Sequence, residues 1–210
     1  MIANEDDARE FVARRCTDQA FLTLNDYVDE LRAEAFEQNL VSRSSLDQVW
    51  TRHIADSAQL LDHVSHGTRS WADLGSGAGL PGLVIAIMRP DLKVSLIESR
   101  RKRFEWLQTV CVNLELRNCQ VLGRRLETIE DRHFDVISAR AFAPLQKLFA
   151  LAGRLADEST FWILPKGKSA ADELAQLPSE AQKGFHVEQS VSDQNAGILV
   201  GYHRALENRV

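Results

Sequence analysis

The first third of the chain has its apolar residues at the spacing of amphipathic helices. From the fourth residue onward they recur three or four positions apart, with polar residues between them. Thr17 and Asp18 form an N-cap signal for one helix, and Ser44 and Ser45 mark a second helix start. We therefore predict an N-terminal helical extension that spans residues 1–66.

After Gly67 the pattern changes to short apolar or β-branched runs, which are typical of buried strands. Five such runs, with room for a connecting segment between each pair, lie at residues 71–74, 94–97, 119–122, 134–138 and 160–164. This alternation is typical of parallel strands whose crossover helices cover both faces of a sheet. The last two runs, 185–191 and 198–203, flank a short loop and predict an antiparallel pair that closes the sheet. Residues 67–210 are therefore expected to form an α/β domain, in one compact unit with the extension.

Length and composition bound the class of protein. The 210 residues, of which 44% are hydrophobic, can bury a full core and match one large domain or one domain with a short extension. No apolar run approaches the roughly 20 residues needed to cross a bilayer. The acidic N-terminus lacks the basic start and the apolar stretch of a secretory signal. We expect a cytoplasmic protein that does not associate with membranes.

Charge and cysteine content exclude further classes. The formal net charge of −5 argues against a protein that coats nucleic acid through a globally basic surface, but it is compatible with a local basic patch. Cys16, Cys111 and Cys119 have no CxxC spacing and lie among apolar neighbours, so we interpret them as small buried hydrophobes. We expect no disulfide and no metal, and we expect a monomer.

The most informative segment is DLGSGAGLPG, which lies between the first predicted strand and a predicted helix. Glycines at this place let the backbone approach a ligand closely. The dinucleotide fingerprint GxGxxG does not fit, because leucine stands where its last glycine would be. The observed pattern is an acidic residue, Asp73, followed by Gly75, Gly77 and Gly79. It favours a loop that wraps the methionine portion of S-adenosylmethionine, with Asp73 either organising the loop or meeting the amino acid moiety of the cofactor.

Glu98 ends the second predicted strand. It follows the first strand at about the 20-residue separation expected for an acid that binds ribose hydroxyls. A carboxylate can accept hydrogen bonds from both hydroxyls at once. We therefore predict that Glu98 holds the ribose of the cofactor.

Several segments together resemble one known family. They are GSGAGLPGLVIAIMRPD, ESRRKRFEWL and FDVISARAFAPL, preceded by NLVS and RHIADS. In this order, and above all in LPG and RAFA, they are similar to the bacterial ribosomal RNA small-subunit methyltransferase G family, also called the glucose-inhibited division protein B family. The resemblance runs from about Asn39 to Gly167 and is weak over the C-terminal part of the chain. Val41 stands where the family commonly has threonine, and Glu98 stands where aspartate is frequent.

The resemblance implies a class I S-adenosylmethionine-dependent methyltransferase fold, which is Rossmann-like with a seven-stranded, mostly parallel sheet. It implies S-adenosylmethionine as donor, S-adenosylhomocysteine as product, and methylation at N7 of one guanine in 16S ribosomal RNA, presented as RNA or in a precursor of the small ribosomal subunit. By position, it implies that Gly75 and Leu80 line the cofactor site and that Leu126 and Glu127 flank the adenine. It places Arg140 at the edge of the active site.

N7 methylation has a simple chemical requirement. Guanine N7 carries a free lone pair at neutral pH, so methyl transfer needs no general base and can rest on proximity and in-line orientation. Exocyclic amino methyltransferases instead carry an (Asp/Asn)-Pro-Pro-aromatic motif after the fourth strand, where this chain has SARAF. The choice of N7 itself rests on the resemblance.

Two groups of basic residues are candidates for contact with RNA phosphates. After the second and third predicted strands lie Arg100, Arg101, Lys102 and Arg103, then Arg124 and Arg125. Cations at a helix start cost about 0.3–1 kcal/mol per close charge unless an anion offsets them. RNA phosphate is one such anion, and a solvated helix face is the alternative. Lys166, after the fifth strand, is either a further phosphate contact or a solvated lysine.

Five further side chains are assigned to the site with alternatives. Arg140, to which we give a positioning role in catalysis, could donate to the cofactor, to guanine O6 or to a phosphate, or it could form a structural salt bridge. Phe142 either stacks on a base or belongs to the core. Arg52 and His53 lie one helical turn before Asp56, so they either form a local ion pair or reach the active site from the extension.

Two rival functions share these features. A small-molecule methyltransferase would have the same glycine loop and ribose-binding acid, but it would not need six clustered cations. A catalytically silent module would bind RNA or cofactor without transfer. Methyl incorporation into RNA separates these possibilities.

Overall fold

A computed structural model describes residues 1–202, and within them seven strands form one sheet. The strands are β1 (Ser70–Leu74), β2 (Lys93–Ile97), β3 (Cys119–Leu122), β4 (Val136–Ala139), β5 (Phe161–Gly167), β6 (Phe185–Gln189) and β7 (Gly197–Tyr202). Their order is β3-β2-β1-β4-β5-β7-β6, with β1 to β5 parallel and β7 antiparallel to both β5 and β6. The predicted α/β sheet is confirmed, with strand ends shifted by a few residues. His203, in the last predicted run, lies outside the described residues.

Helices cover both faces of the sheet. The α-helices are α1 (Glu5–Ala13), α2 (Asp18–Glu34), α3 (Arg43–Leu46), α4 (Asp56–Ala58), α5 (Gly82–Met88), α6 (Arg101–Asn113), α7 (Leu145–Ala152), α8 (Ala170–Ala175) and α9 (Ser179–Gln182). The stretches Gln59–His63, Leu126–Thr128 and Gly153–Leu155 are 3-10 helices, and Trp50–Ala55 is a π-helix. On one face α1, α2 and the π-helix pack with the fully buried α5, while α7 packs on the other face.

Polar side chains define the helix starts in the extension. Thr17 caps α2 as predicted, with its hydroxyl accepting from the N–H of Ala20 at 3.2 Å. The second start lies at Ser42 rather than at Ser44 and Ser45, since Ser45 is already helical and turns its hydroxyl to the carbonyl of Ser42.

The extension is packed against the glycine loop. The hydroxyl of Tyr27 on α2 donates to the carbonyl of Ala78 at 2.9 Å, and both groups are buried. Leu24 and Leu31 belong to the same apolar cluster as Leu83 and Ile85 of α5. The helical extension and the sheet therefore share one core, which places the extension beside the loop.

Among residues 1–202, no helix has the length and apolar character of a membrane-spanning segment. The same residues contain no cluster of three or more His, Cys, Asp or Glu side chains arranged to hold a metal ion. Cys16, Cys111 and Cys119 are free thiols that are partly buried.

Candidate active site

The glycine loop leaves β1 at the edge where the parallel strands end. Gly75, Gly77 and Gly79 have φ values of +67°, +55° and +92°, a left-handed region in which glycine pays no Cβ penalty. A Cβ at Gly75 would lie 2.5 Å from Cδ2 of Phe142, so the aromatic ring rests directly on the loop backbone. At Gly77 the nearest atom would be Nη1 of Arg103 at 3.5 Å, so its conformation rather than crowding selects glycine there.

Asp73 holds the loop from beneath. Its carboxylate is fully buried and accepts from the N–H of Gly82 at 3.2 Å and from the hydroxyl of Ser138 at 2.8 Å. The indole of Trp71 donates to the same hydroxyl at 2.8 Å. Burial raises the pKa of Asp73, and the hydrogen bonds from Ser138 and Gly82 oppose that rise. The contacts favour the loop-organising role for Asp73 over contact with a ligand.

Glu98 joins three elements. Its carboxylate is buried and accepts from the N–H of Gly77 at 3.0 Å and from the N–H of Arg100 at 2.8 Å. The first bond ties the end of β2 to the glycine loop, and the second caps the start of α6. A carboxylate thus already lies at the positive end of the α6 dipole, so the basic residues there do not require an external anion.

Above the glycine loop lies a cavity of about 360 Å³, which we call the glycine-loop cavity. It is lined by Leu74, Gly75, Ile97, Glu98, Ser99, Arg100, Arg103, Arg124, Arg125, Leu126, Glu127, Ala141 and Phe142. The structure therefore brings Gly75, Glu98, Leu126 and Glu127 together around one cavity, as predicted for a shared ligand. The other residues predicted to bind the cofactor do not line it, namely Asp73, Gly77, Gly79, Leu80 and Arg140. Leu80 and Gly79 are buried in the body of the loop.

The basic residues separate into two groups by position. Arg100, Arg103, Arg124 and Arg125 line the glycine-loop cavity, whereas the side chain of Arg101 is 89% exposed and pairs with Glu105 at 2.7 Å. Lys102 is also exposed. A run of like charges along a helix cannot reveal this division, because it depends on which side chains turn toward the sheet.

The contacts of Lys166 support neither of its two predicted roles, and those of Phe142 exclude one of its two. The ammonium of Lys166 is buried and bonded to the carbonyl of Ala143 at 3.1 Å and to Glu173 at 3.0 Å, so Lys166 is neither solvated nor directed at a phosphate. Phe142 is 36% exposed and lines the glycine-loop cavity, so it does not belong to the core.

A second cavity, of about 400 Å³, lies between the extension and the ends of β4 and β5. His53 and Asp56 enter it from the extension, and Arg140 enters it from the end of β4. Ala141 lines both cavities and has a φ of +51°, a strained conformation for a residue with a Cβ. The two cavities therefore meet at Ala141, and we call the second one the Arg140 cavity.

A hydrogen-bond chain orients Arg140. The hydroxyl of Ser45 donates to the carbonyl of Ser42 at 2.7 Å, so it can only accept from Nε2 of His53, which lies 2.9 Å away. The proton of His53 is therefore on Nε2, and its Nδ1 accepts from Nη1 of Arg140 at 3.3 Å. Burial, reinforced by the charges of Arg140 and Arg52, lowers the pKa of His53 to about 3. His53 is accordingly neutral at physiological pH.

The contacts of Asp56 show whether the extension forms a local ion pair or reaches the site. Its Oδ1 accepts from the hydroxyl of Ser192 at 2.7 Å and from the amide of Gln59 at 2.9 Å. Its Oδ2 lies 3.8 Å from Nη1 of Arg140. Among the ion pairs of residues 1–202, Asp56 pairs with Arg140 and not with Arg52. The extension thus contributes to the site, and Ser192 is a member that sequence reasoning missed because it is distant along the chain.

Comparison with known proteins identifies the family to which the chain belongs. The family model described as rRNA small subunit methyltransferase G matches residues 21–199. The chain is 57% identical to a ribosomal RNA small subunit methyltransferase G of Erythrobacter litoralis, over 98% of this chain and 99% of the relative. A protein of the same name from Rhizorhabdus wittichii is 44% identical over 95% of this chain and 93% of its own length.

Solved structures share the fold. A methyltransferase from Geobacter sulfurreducens superimposes with a TM-score of 0.56 at 16% identity, over 85% of this chain and 88% of its own. A variant of MtNAS in complex with S-adenosylmethionine superimposes with a TM-score of 0.54 at 18% identity, over 96% of this chain and 84% of that one. At these identities the likeness concerns the fold alone, and that fold is the class I methyltransferase sheet.

Proposed function

The chain belongs to the ribosomal RNA small subunit methyltransferase G family, and from this premise we propose that it transfers a methyl group from S-adenosylmethionine to N7 of a guanine in small-subunit ribosomal RNA. The observation that carries the proposal is the junction of two cavities at Ala141. One cavity has the groups that a sulfonium nucleoside needs, and the other has room for an acceptor beside it.

The glycine-loop cavity fits S-adenosylmethionine on several counts. Its volume lies within the range of about 300–1,000 Å³ that is usual for small-molecule sites. Each Glu98 oxygen accepts one backbone N–H, which leaves acceptor capacity for ribose hydroxyls. Arg103 lies over Gly77 and is a suitable cation for the carboxylate of the methionine portion. The buried Leu126 offers an apolar surface to the adenine.

The reaction makes modest demands on this chain. S-adenosylmethionine supplies an electrophilic methyl group, and guanine N7 supplies a free lone pair, so no proton has to leave the acceptor before transfer. His53 is a poor base, because its pKa is low and both of its ring nitrogens are engaged. Arg140 is held in place beside the junction of the cavities. The work of the residues is therefore to bind and orient two ligands, which is the contribution expected for an in-line transfer.

RNA contact is assigned to the basic surface. Arg101 and Lys102 are exposed on α6, between Arg100 and Arg103, which line the glycine-loop cavity. Arg124 and Arg125 line the same cavity. A local patch of this kind can bind phosphates despite the net charge of −5. These four residues and Arg100 are the proposed RNA contacts, and Arg103 has a second role toward the cofactor. Lys166 is not among them, because its ammonium is bonded to Ala143 and Glu173.

Methyl incorporation tests the proposed function. Labelled S-adenosylmethionine is offered with three acceptors, namely protein-free total RNA, small ribosomal subunits from cells without this activity, and a small-molecule extract. We expect label in 16S ribosomal RNA of at least one of the first two. A Gly75→Val variant, whose side chain would displace Phe142 at the loop, should transfer no label. Label in the extract with none in RNA would identify a small-molecule methyltransferase and overturn the proposal.

A further inference from the structure

The Arg140 cavity presents a donor and an acceptor side by side. The guanidinium of Arg140 and Oδ2 of Asp56 lie 3.8 Å apart, and both side chains are about one-fifth to one-quarter exposed, at 25% and 19%. Their separation exceeds hydrogen-bonding distance, so neither group uses up the hydrogen-bonding capacity of the other. Both line the cavity wall.

Both groups are fixed by their other contacts. Nδ1 of His53 accepts from Arg140, and the tautomer of His53 is set by Ser45. Oδ1 of Asp56 is held by Ser192 and Gln59, which leaves Oδ2 as the oxygen directed at Arg140 and the cavity. A donor and an acceptor that are held in this way can select a ligand by its hydrogen-bonding pattern, because reorienting them would break partly buried hydrogen bonds.

Guanine carries the complementary pattern. Its O6 accepts, and the adjacent N1–H and N2–H₂ donate, so Arg140 suits O6 and Asp56 suits N1–H and N2–H₂. Adenine has an amino donor at the position of O6 and an acceptor at N1, so it would place a donor against the guanidinium and a lone pair against the carboxylate. Because O6 neighbours N7, a guanine held through O6 has its reactive nitrogen close to the Arg140 end of the cavity, where Ala141 joins the two cavities.

We propose that the Arg140 cavity is the pocket for the target guanine, with Asp56 as the residue that reads N1–H and N2–H₂ and Arg140 as the residue that reads O6. The inference rests on the proposed function, since it names the base-binding part of that site. It requires the target nucleotide to leave its stack and enter the cavity, as other enzymes that act on a base require. His53 is a positioning residue that acts through Arg140.

The test compares guanosine with inosine, which lacks the N2 amino group. Small subunits are reconstituted with 16S ribosomal RNA that carries either nucleoside at the position the protein methylates. Wild-type protein should prefer guanosine by about tenfold or more in kcat/KM, as expected for loss of a hydrogen bond to a charged group. In Asp56→Asn this preference should fall to nearly onefold, while the affinity for S-adenosylmethionine stays within twofold of wild type.

Asp193→Asn is the matched control. Asp193 lines the same cavity, but its carboxylate caps the loop at the N–H of Asn195. We expect this variant to keep the full preference for guanosine. Comparing preferences between proteins removes the intrinsic difference in reactivity between the two bases.

The outcomes separate the inference from the proposed function. Failure of wild type to label any particle would contradict the proposed function itself. Labelling with an unchanged guanosine preference in Asp56→Asn would leave the function intact and overturn the inference, because Asp56 would then be structural. If Asp56→Asn does not fold, binding of the two particles to wild type with S-adenosylhomocysteine present decides the matter. The inference expects guanosine to bind about tenfold or more tightly, and equal binding would refute it.

Discussion

Replacing Glu98 with glutamine separates two roles that one carboxylate combines. The carboxylate accepts from Gly77 at 3.0 Å and from Arg100 at 2.8 Å, in a position that is 5% exposed. An amide has one oxygen, so it can accept only one of these bonds, and its NH₂ group must face the other N–H. The loss of a charge-assisted hydrogen bond is worth about 1.5–3 kcal/mol.

The same change acts on the proposed ribose contact. An uncharged amide is a weaker acceptor for the two hydroxyls, and the loop that it ties down is less well ordered before binding. We expect Glu98→Gln to lose about 1.5–3 kcal/mol of unfolding free energy. We expect its dissociation constant for S-adenosylmethionine to rise by about ten- to a hundredfold. Urea denaturation measures the first quantity, and titration calorimetry measures the second.

Glu105→Gln on the same helix is the control. Its carboxylate pairs with Arg101, whose side chain is 89% exposed, so its loss should cost at most about 1 kcal/mol and should leave cofactor affinity unchanged. A Glu98→Gln variant that is less stable but binds the cofactor as tightly as wild type would refute the ribose assignment. A Glu98→Gln variant as stable as wild type would show that the hydrogen bonds of Glu98 to the glycine loop and to the start of α6 do not stabilise the fold.

Three further predictions follow from the same contacts. Arg101→Ala combined with Lys102→Ala should flatten the plot of log binding constant for RNA against log salt concentration by about one unit of slope per lost phosphate contact. The affinity for the cofactor should not change. An unchanged slope would show that neither residue contacts RNA phosphate. Ser138→Ala should destabilise the protein by about 1–3 kcal/mol in urea denaturation, because it removes the donor to Oδ1 of buried Asp73 and the acceptor of the Trp71 indole. A neutral result would contradict that. His53 is neutral in the folded protein down to pH about 3 but protonates below pH about 6.5 when unfolded, so stability should fall as pH falls through this window. Denaturation at pH 7, 6 and 5 should show a shallower pH slope for His53→Gln than for wild type, and equal slopes would refute the shift.

The glycine loop and Glu98 could be predicted from sequence because their signals are local. An acidic strand end, alternating glycines and a second acidic strand end define positions at one edge of a parallel sheet, whatever the rest of the chain does. The structure places Gly75 and Glu98 on one cavity as that reasoning expects. It also shows that the hydroxyl of Ser138 donates to the carboxylate of Asp73, a contact that the spacing of residues in the sequence does not predict.

The Arg140 cavity could not be predicted in the same way. Its members come from distant parts of the chain, and Ser192 meets Asp56 across 136 positions. The π-helix Trp50–Ala55, which carries His53, could not be predicted from the sequence either. A π-helix has one more residue in each hydrogen-bonded turn than an α-helix, and the spacing of apolar residues does not distinguish the two. Tertiary packing of the extension therefore determines this part of the site.

Chemical mapping of the transferred methyl group tests the central claim most directly. N7-methylguanosine becomes a site of strand scission after borohydride reduction and aniline treatment, whereas methylation at an exocyclic amine or a ribose does not. Small subunits from cells without this activity are incubated with wild-type protein and S-adenosylmethionine, and the 16S ribosomal RNA is then cleaved and sized. The account predicts new scission at one guanosine that depends on the protein and on the cofactor. Labelled RNA that resists this scission would contradict N7 methylation.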